Sequence, residues 1–185
     1  MISETIKNRR AVFPAQYNRQ PISKEEVKKI LETANWAPTH RKTEPWRFKV
    51  FHSEESRKQL ADFLSETYKN TTETISEFKQ KKIAEKPLQS GCVIAICMQR
   101  DPKESVPAWE EIAATAMAVQ NMWLTAHDMK IGAYWSSPAL KDHLHALINL
   151  NEGERCLGFF YMGKFDELTL EGARNTTIQE KTTWV

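Results

Sequence analysis

Three cysteines in 185 residues leave no room for a disulfide framework. Cys92, Cys97 and Cys156 are odd in number and sit in apolar, strand-like runs, where buried reduced thiols are expected. The chain has no apolar stretch near the roughly 18 residues of a membrane span. Met1-Ile2-Ser3-Glu4 carries neither a basic n-region nor an apolar h-region, so no membrane association and a cytoplasmic location are expected. No block of one charge sign is present either, since 26 Lys and Arg against 24 Asp and Glu leave a net charge of +2. The densest basic run, Lys79 to Lys86, is broken by Ile83, Ala84 and Glu85 as a solvated helix face would be, which argues against nucleic acid as a partner. There is no G-x-G-x-x-G, P-loop or G-x-S-x-G, so a Rossmann site, an NTPase and an α/β-hydrolase elbow lack support. His143 and His145 stand two apart in an expected helix and point to different sides, while His52 and His127 have no partner at ligand spacing; no metal is expected. Without repeats or low-complexity segments, the length suits one domain over residues 1–185.

What is present alternates helical and strand patterns. Ser23-Lys24-Glu25-Glu26 is a capping box, followed by Val27, Ile30, Leu31 and Ala34 on one face, so a helix runs from about Lys24 to Trp36, where Pro38 stops it. Trp46 to Phe51 alternates as a half-buried strand, and Ser53 caps a helix with Leu60, Phe63, Leu64 and Thr67 on one face. A polar helix is expected from about Thr74 to Ala84, ending before Pro87. Cys92 to Met98 is apolar on both alternations and reads as a central strand. From Trp109 to about His127 the pattern is apolar around most of the helix circumference, so this helix either fills the core centre or is covered by another subunit. Gly132 permits a sharp turn into Ala133-Tyr134-Trp135, Ser137-Pro138 opens a helix with Leu140, Leu144 and Leu147 on one side, and Cys156 to Met162 returns as a strand. The tail from Glu167 to Val185 is irregular but ends in the strand formers Thr182-Thr183-Trp184-Val185.

Two stretches carry chemistry. The pair Arg9-Arg10 offers two guanidinium forks, suited to a phosphate and a ring carbonyl, and Ala37 to Phe48 is a polar loop pinned by Pro38 and Pro45. Together they would suit a planar anionic cofactor, though a dibasic pair and a polar loop are each ordinary surface features. Their order with Asn8-Arg9-Arg10-Ala11, Pro21-Ile22-Ser23, Ala37-Pro38, Pro45-Trp46-Arg47-Phe48, Trp109-Glu110-Glu111, Gly132 to Ser137, Leu157 to Gly163 and Glu180 to Val185 resembles the FMN-dependent nitroreductase family, and in particular its small branch with His after Ala-Pro-x.

The resemblance implies an α+β nitroreductase-like fold, a central mostly antiparallel sheet flanked by helices. It also implies an obligate homodimer with residues 167–185 as an exchanged C-terminal arm and two FMN sites at the interface. NADH or NADPH would deliver a hydride to flavin N5, and a nitroaromatic, quinone or similar small-molecule acceptor would take the electrons in a ping-pong cycle. By the same resemblance Arg9 and Arg10 face the cofactor, one toward phosphate and ribityl oxygens and the other toward the pyrimidine edge. Ala11 keeps only a backbone contact where relatives often have Ser. His40 contacts the flavin, Trp36 walls its ring, and Glu44 replaces a usual Gln. Trp135, Ser136 and Ser137 line the dimethylbenzene and N5 side, and Arg174 in the arm is a phosphate ligand, with Lys164 as a lesser candidate. The double arginine and Trp36/His40 would come from one subunit, with further contributions from the other. The flavin carries the chemistry, so no protein acid or base is named. Rival readings are a member specialised for another reductive step such as dehalogenation, for whose lid only Tyr68 to Pro87 offers room, a flavin-binding protein without turnover, and an interaction domain without cofactor.

Overall fold

The computed structural model describes residues 1–166 and 172–185, so the first five residues of the expected arm lie outside the described residues. Its elements in chain order are α1 (Ile2–Asn8), α2 (Lys24–Ala34), β1 (Trp46–Phe51), α3 (Glu54–Thr71), α4 (Glu77–Gln89), β2 (Cys92–Gln99), α5 (Ala108–Asp128), β3 (Ile131–Ser136) and β4 (Glu154–Lys164). The four strands form one antiparallel sheet in the order β1-β2-β4-β3, giving the α+β architecture expected. Ile94 and Ile96 of β2 pack on one face with residues of α2 and α5. Val93, Ala95 and Cys97 pack on the other with α3 and the 3-10 helix Ala139–Ala146. A strand buried on both faces must be apolar at every position, which is what the unbroken run from Cys92 to Met98 supplies.

The caps read in the sequence form as expected. Ser23 Oγ accepts from the Glu26 amide at 3.1 Å, and the Glu26 carboxylate accepts from the Ser23 amide at 2.7 Å. That same carboxylate pairs with Lys164 Nζ at 3.0 Å, fastening the start of α2 to the end of β4. Three expectations need correction. The polar helix begins three residues later, at Glu77, and continues through Pro87 to Gln89. Pro87 is tolerated because it stands in the last turn, where Ser90 satisfies the loose ends: its amide donates to Pro87 O and its hydroxyl to Lys86 O. The turn before β3 is made by Lys130 at φ 56 rather than by Gly132, and the segment after Ser137-Pro138 is a 3-10 helix.

Gly132 instead has a packing role. It is the register partner of Gly163, and the Gly91 amide donates to Met162 O at 2.8 Å, so three glycines stand side by side on β3, β4 and the head of β2. A Cβ on Gly132 would come 2.8 Å from Val12, one on Gly163 would overlap the Tyr17 ring, and one on Gly91 would come 3.0 Å from Ile22. The bare backbone forms a trough that lets the segment from Val12 to Ile22 lie directly across the strands. The Val12 amide donates to Ala133 O at 3.1 Å, and Ala11 bridges Ala133. The two residues just before this seam are Arg9 and Arg10.

Helix α5 is buried on one side only. Ala114, Ala118, Val119, Met122 and Ala126 enter the core, and the Glu111 carboxylate is buried against the Arg100 guanidinium while accepting from the Asp101 amide at 2.9 Å. The opposite side leaves Trp109 67% and Met117 40% exposed, with Ile112 beside them and Ala113 and Ala116 half-buried. This apolar stripe faces outward. Among the described residues no helix is long and apolar enough to cross a membrane, and no cluster of three or more His, Cys, Asp or Glu could hold a metal.

Candidate functional site

The seam over the glycine trough carries Arg9 and Arg10 to the C-terminal half of α5. The Arg9 guanidinium stacks on the Trp123 indole, 4.4 Å from its centroid. Arg10 turns back on α1, its Nη1 donating to Lys7 O at 2.6 Å and Arg9 O at 2.8 Å, so it caps carbonyls at the end of that helix. Arg174 joins them from the tail, and the Gly172 backbone lies so close to Arg10 that a Cβ would overlap the guanidinium. Burial, followed by the charges of Arg174 and Arg10, lowers the pKa of Arg9. Burial also lowers that of His127, with Arg9 the next cause; Asp128 opposes the shift and Arg10 reinforces it.

Four basic groups therefore converge, and among the described residues none of the three arginines has a carboxylate partner. The Nε atoms of Arg9 and Arg10 are buried and, among the described residues, without hydrogen-bond partners. Buried N–H groups of a cation left unpaired are costly, and like charges held together raise that cost; an anion with several acceptor oxygens relieves both.

The neighbouring surface is aromatic. Phe160 is the register partner of Trp135 and meets Trp123 edge-on at 5.6 Å, so the two indoles flank it on one face of the sheet. Trp135 is seated by Gly158, where a Cβ would overlap the indole nitrogen, and the Nε1 atoms of Trp123 and Trp135 are both buried without partners. Ser136 closes β3, and Ser137 follows it exposed.

The second predicted stretch lies elsewhere. His40 Nδ1 is 2.6 Å from Glu110 Oε2, at the start of α5. Pro38, Thr39 and His40 face Trp109, Ala113 and Met117 across an open cleft, and Trp36, before the loop, is 79% exposed. Arg41, Lys42 and Glu44 all have positive φ, of 50, 56 and 42°, so this loop holds three non-glycine residues in a sparsely populated conformation. The Thr39 hydroxyl accepts from the Glu44 amide at 3.2 Å and helps to hold it. From Glu110 to Trp123 the α-helical rise amounts to about 20 Å. One chain thus gathers Arg9, Arg10, Ala11, Arg174, Trp135 and Ser136 toward one end of α5 and sets His40 at the other, contrary to the expectation that a single subunit brings the arginines and His40 together; Trp36 lies between them, its amide donating to Thr33 O at 3.3 Å, which also accepts from Asn121 Nδ2 at 3.1 Å. Lys164, the lesser candidate, is committed to Glu26.

Nothing local in the sequence marks Trp123, His127 or Glu110 as a site residue. The first two are hidden in a helix whose apolar pattern reads as core, and only the folded chain aligns them with a segment more than a hundred residues earlier. Glu110 stands in the Trp109-Glu110-Glu111 motif, but its partner His40 is visible only in three dimensions.

The chain spans nearly the whole of several known proteins with this arrangement. It is 29% identical to a nitroreductase-like family protein of Bacillus cereus, whose crystal structure superposes with a TM-score of 0.84 over 100% of this chain and 96% of that one. It is 26% identical over 185 residues to YfhC of Bacillus subtilis strain 168, provisionally named an NAD(P)H nitroreductase, covering 99% of this chain and 93% of that protein. A Desulfovibrio desulfuricans protein, provisionally named a nitroreductase and crystallised in complex with FMN, shares the fold at 21% identity and a TM-score of 0.74, over 100% of this chain and 96% of the other. The nitroreductase family pattern itself matches residues 6–164, and the chain belongs to that family.

Proposed function

We propose that the protein is an FMN-dependent oxidoreductase that takes two electrons as hydride from NADH or NADPH and passes them to a small acceptor of the nitroaromatic or quinone class, working as a homodimer. The observation that carries this reading is the arginine cluster: two buried Nε atoms, and three guanidiniums, that among the described residues have neither a hydrogen-bond acceptor for those Nε atoms nor a carboxylate partner. The residues present fit FMN. Its phosphate offers about two negative charges and several acceptor oxygens, matched to Arg9, Arg10 and Arg174, and the indole surfaces of Trp123 and Trp135 are flat and apolar as a fused ring requires. When bound, FMN supplies the ring that accepts a hydride and gives up two electrons. The chain's part is to bind it, orient it and set the field: a guanidinium at the pyrimidine edge stabilises negative charge developing there, and Ala11 contributes only backbone.

The homodimer reading rests on the outward stripe of α5. Trp109, Ile112, Ala113, Ala116 and Met117 recur at helical spacing and would be covered by the same stripe of a second copy. A two-fold axis near Met117 sets the Glu110 end of one α5 against the Trp123 end of the other, because Glu110 lies seven residues before Met117 and Trp123 six after it. His40 of the second copy would then face the arginines of the first, completing a site that one chain holds in two halves. Ile178, Trp184 and Val185 are exposed and apolar, consistent with the tail beyond Arg174 serving as an arm on the other subunit.

Purified protein should be yellow, release FMN rather than FAD on heating, and oxidise NADH or NADPH when menadione or a nitroaromatic is supplied. Colourless protein that fails to take up added FMN would overturn the reading; FMN binding without NAD(P)H oxidation would reduce it to flavin binding alone.

A further inference from the structure

At the far end of the glycine trough, beyond Gly91, the loop before α2 and the start of α3 enclose a cavity of about 220 Å³. Arg19, Gln20, His52, Arg57 and Gln89 line it, and among the described residues no Asp or Glu does. Arg57 is partly buried, and its Nη1 donates to the carbonyls of His52 and Gly91, the latter at 3.1 Å. Its Nε is buried with no partner. Neither Arg57 nor Arg19 forms an ion pair among the described residues, and Arg19, at φ 63, makes no side-chain hydrogen bond there. His52 Nε2 lies 2.7 Å from Ile22 O, so its ring is fixed as a wall of the cavity and ties the loop to β1.

Two guanidiniums that among the described residues have no counter-ion, around one small cavity and one of them with a buried N–H unsatisfied there, ask for an anion. The volume is below the roughly 300–1,000 Å³ of pockets that enclose drug-sized ligands, which favours a small oxyanion over a nucleotide. The position is separate from Arg9 and Arg10: the trough places them two to three strands away, about 10 to 14 Å at normal strand spacing. We infer that Arg19 and Arg57 form a second anion site, taking a small tetrahedral oxyanion such as phosphate, which neutralises Arg57 and pins the Arg19 loop to the start of α3. This inference does not depend on the flavin reading.

Equilibrium dialysis of the purified protein against radiolabelled inorganic phosphate, with chloride holding ionic strength constant, tests it. Three proteins are compared: wild type, Arg19→Asn and Arg10→Ala. Arg19 is exposed and makes no side-chain hydrogen bond or ion pair among the described residues, and Asn suits its left-handed backbone, so the first variant should retain the fold. Expected is uptake by wild type that persists in Arg10→Ala and weakens at least about tenfold in Arg19→Asn, the loss of one charge-assisted contact. No uptake by wild type, full uptake by Arg19→Asn, or loss of all uptake in Arg10→Ala would each overturn the site.

Discussion

Tyr17 closes over Gly163: its ring occupies the space where a β-carbon would stand, and its hydroxyl lies 2.9 Å from Val12 O and 3.0 Å from Tyr161 O, within donating reach of either. The ring cannot swing aside without giving up that bond, so Gly163→Ala should force the Val12 to Ile22 segment off the sheet. A cost of about 1–3 kcal/mol is expected from overpacking, measured by urea unfolding. FMN affinity should fall as well, since the same seam carries Arg9 and Arg10. Tyr17→Phe, which removes only the buried hydroxyl, should cost about 1 kcal/mol and leave FMN binding nearly intact. Wild-type stability in Gly163→Ala would mean that the trough does not hold the segment.

Arg9, Arg10 and Arg174 divide the two meanings of a dibasic pair. If they were solvated surface charges, replacing any one with Ala should change stability by no more than about 0.5 kcal/mol and leave the flavin untouched. If they hold FMN, each loses charge-assisted bonds of about 1.5–3 kcal/mol, or about ten- to a hundred-fold in affinity. Fluorescence titration of each Ala variant decides between them. Stopped-flow reduction by NAD(P)H at saturating FMN then separates the roles: a variant that binds weakly but is reduced at the normal rate has lost a phosphate contact, whereas one reduced slowly has lost a charge at the ring.

How much of this was legible beforehand follows from the range of the interactions. The Ser23 cap, the doubly buried β2 and the length of α5 are written in neighbouring residues, and all were read. Pro87 reads as a helix stop because the rescue by Ser90 is a detail of the last turn. Gly132 reads as a turn because nothing local marks its pairing with Gly163 or the Val12 side chain above it. The candidate site was legible as a set of motifs and illegible as an arrangement. Arg9 finds Trp123 and His127 only through the fold, and the distance between the arginines and His40 depends on α5 lying between them, which no spacing in the sequence encodes.

Alkaline pH should weaken the fold through buried groups that resist ionisation. Burial pushes the Cys92 thiol from an ordinary 9.0 up to about 12, with Arg57 pulling weakly the other way. Burial also raises Tyr17, with Tyr161 the second cause, and raises Tyr161, with Tyr134 and Cys156 adding to it. In the unfolded chain these groups release protons earlier than in the native state, so their contribution is fully present below about pH 9 and is lost as pH climbs toward 12. Urea midpoints should be level with respect to these groups from pH 7 to 8.5 and drop beyond 9, and Cys92 should resist iodoacetamide at pH 8 unless denaturant is present. Rapid native alkylation of Cys92 would contradict the burial.

Met117 tests the homodimer reading at the point where the two-fold axis is proposed. It is 40% exposed on the outward stripe of α5, so Met117→Asp should be tolerated by the isolated chain but would bury two like charges face to face in a dimer. Light scattering should find wild type as a dimer and the variant shifted toward monomer, with the far-ultraviolet circular dichroism of a folded chain. Flavin retention should fall in step, although Met117 is about 9 Å of helical rise from Trp123, because His40 would no longer be supplied by the second copy. Met117→Leu, which keeps the stripe apolar, should restore both association and flavin binding. A monomeric Met117→Asp that bound FMN as tightly as wild type would show that one chain completes the site alone, and the shared-site arrangement would have to be abandoned.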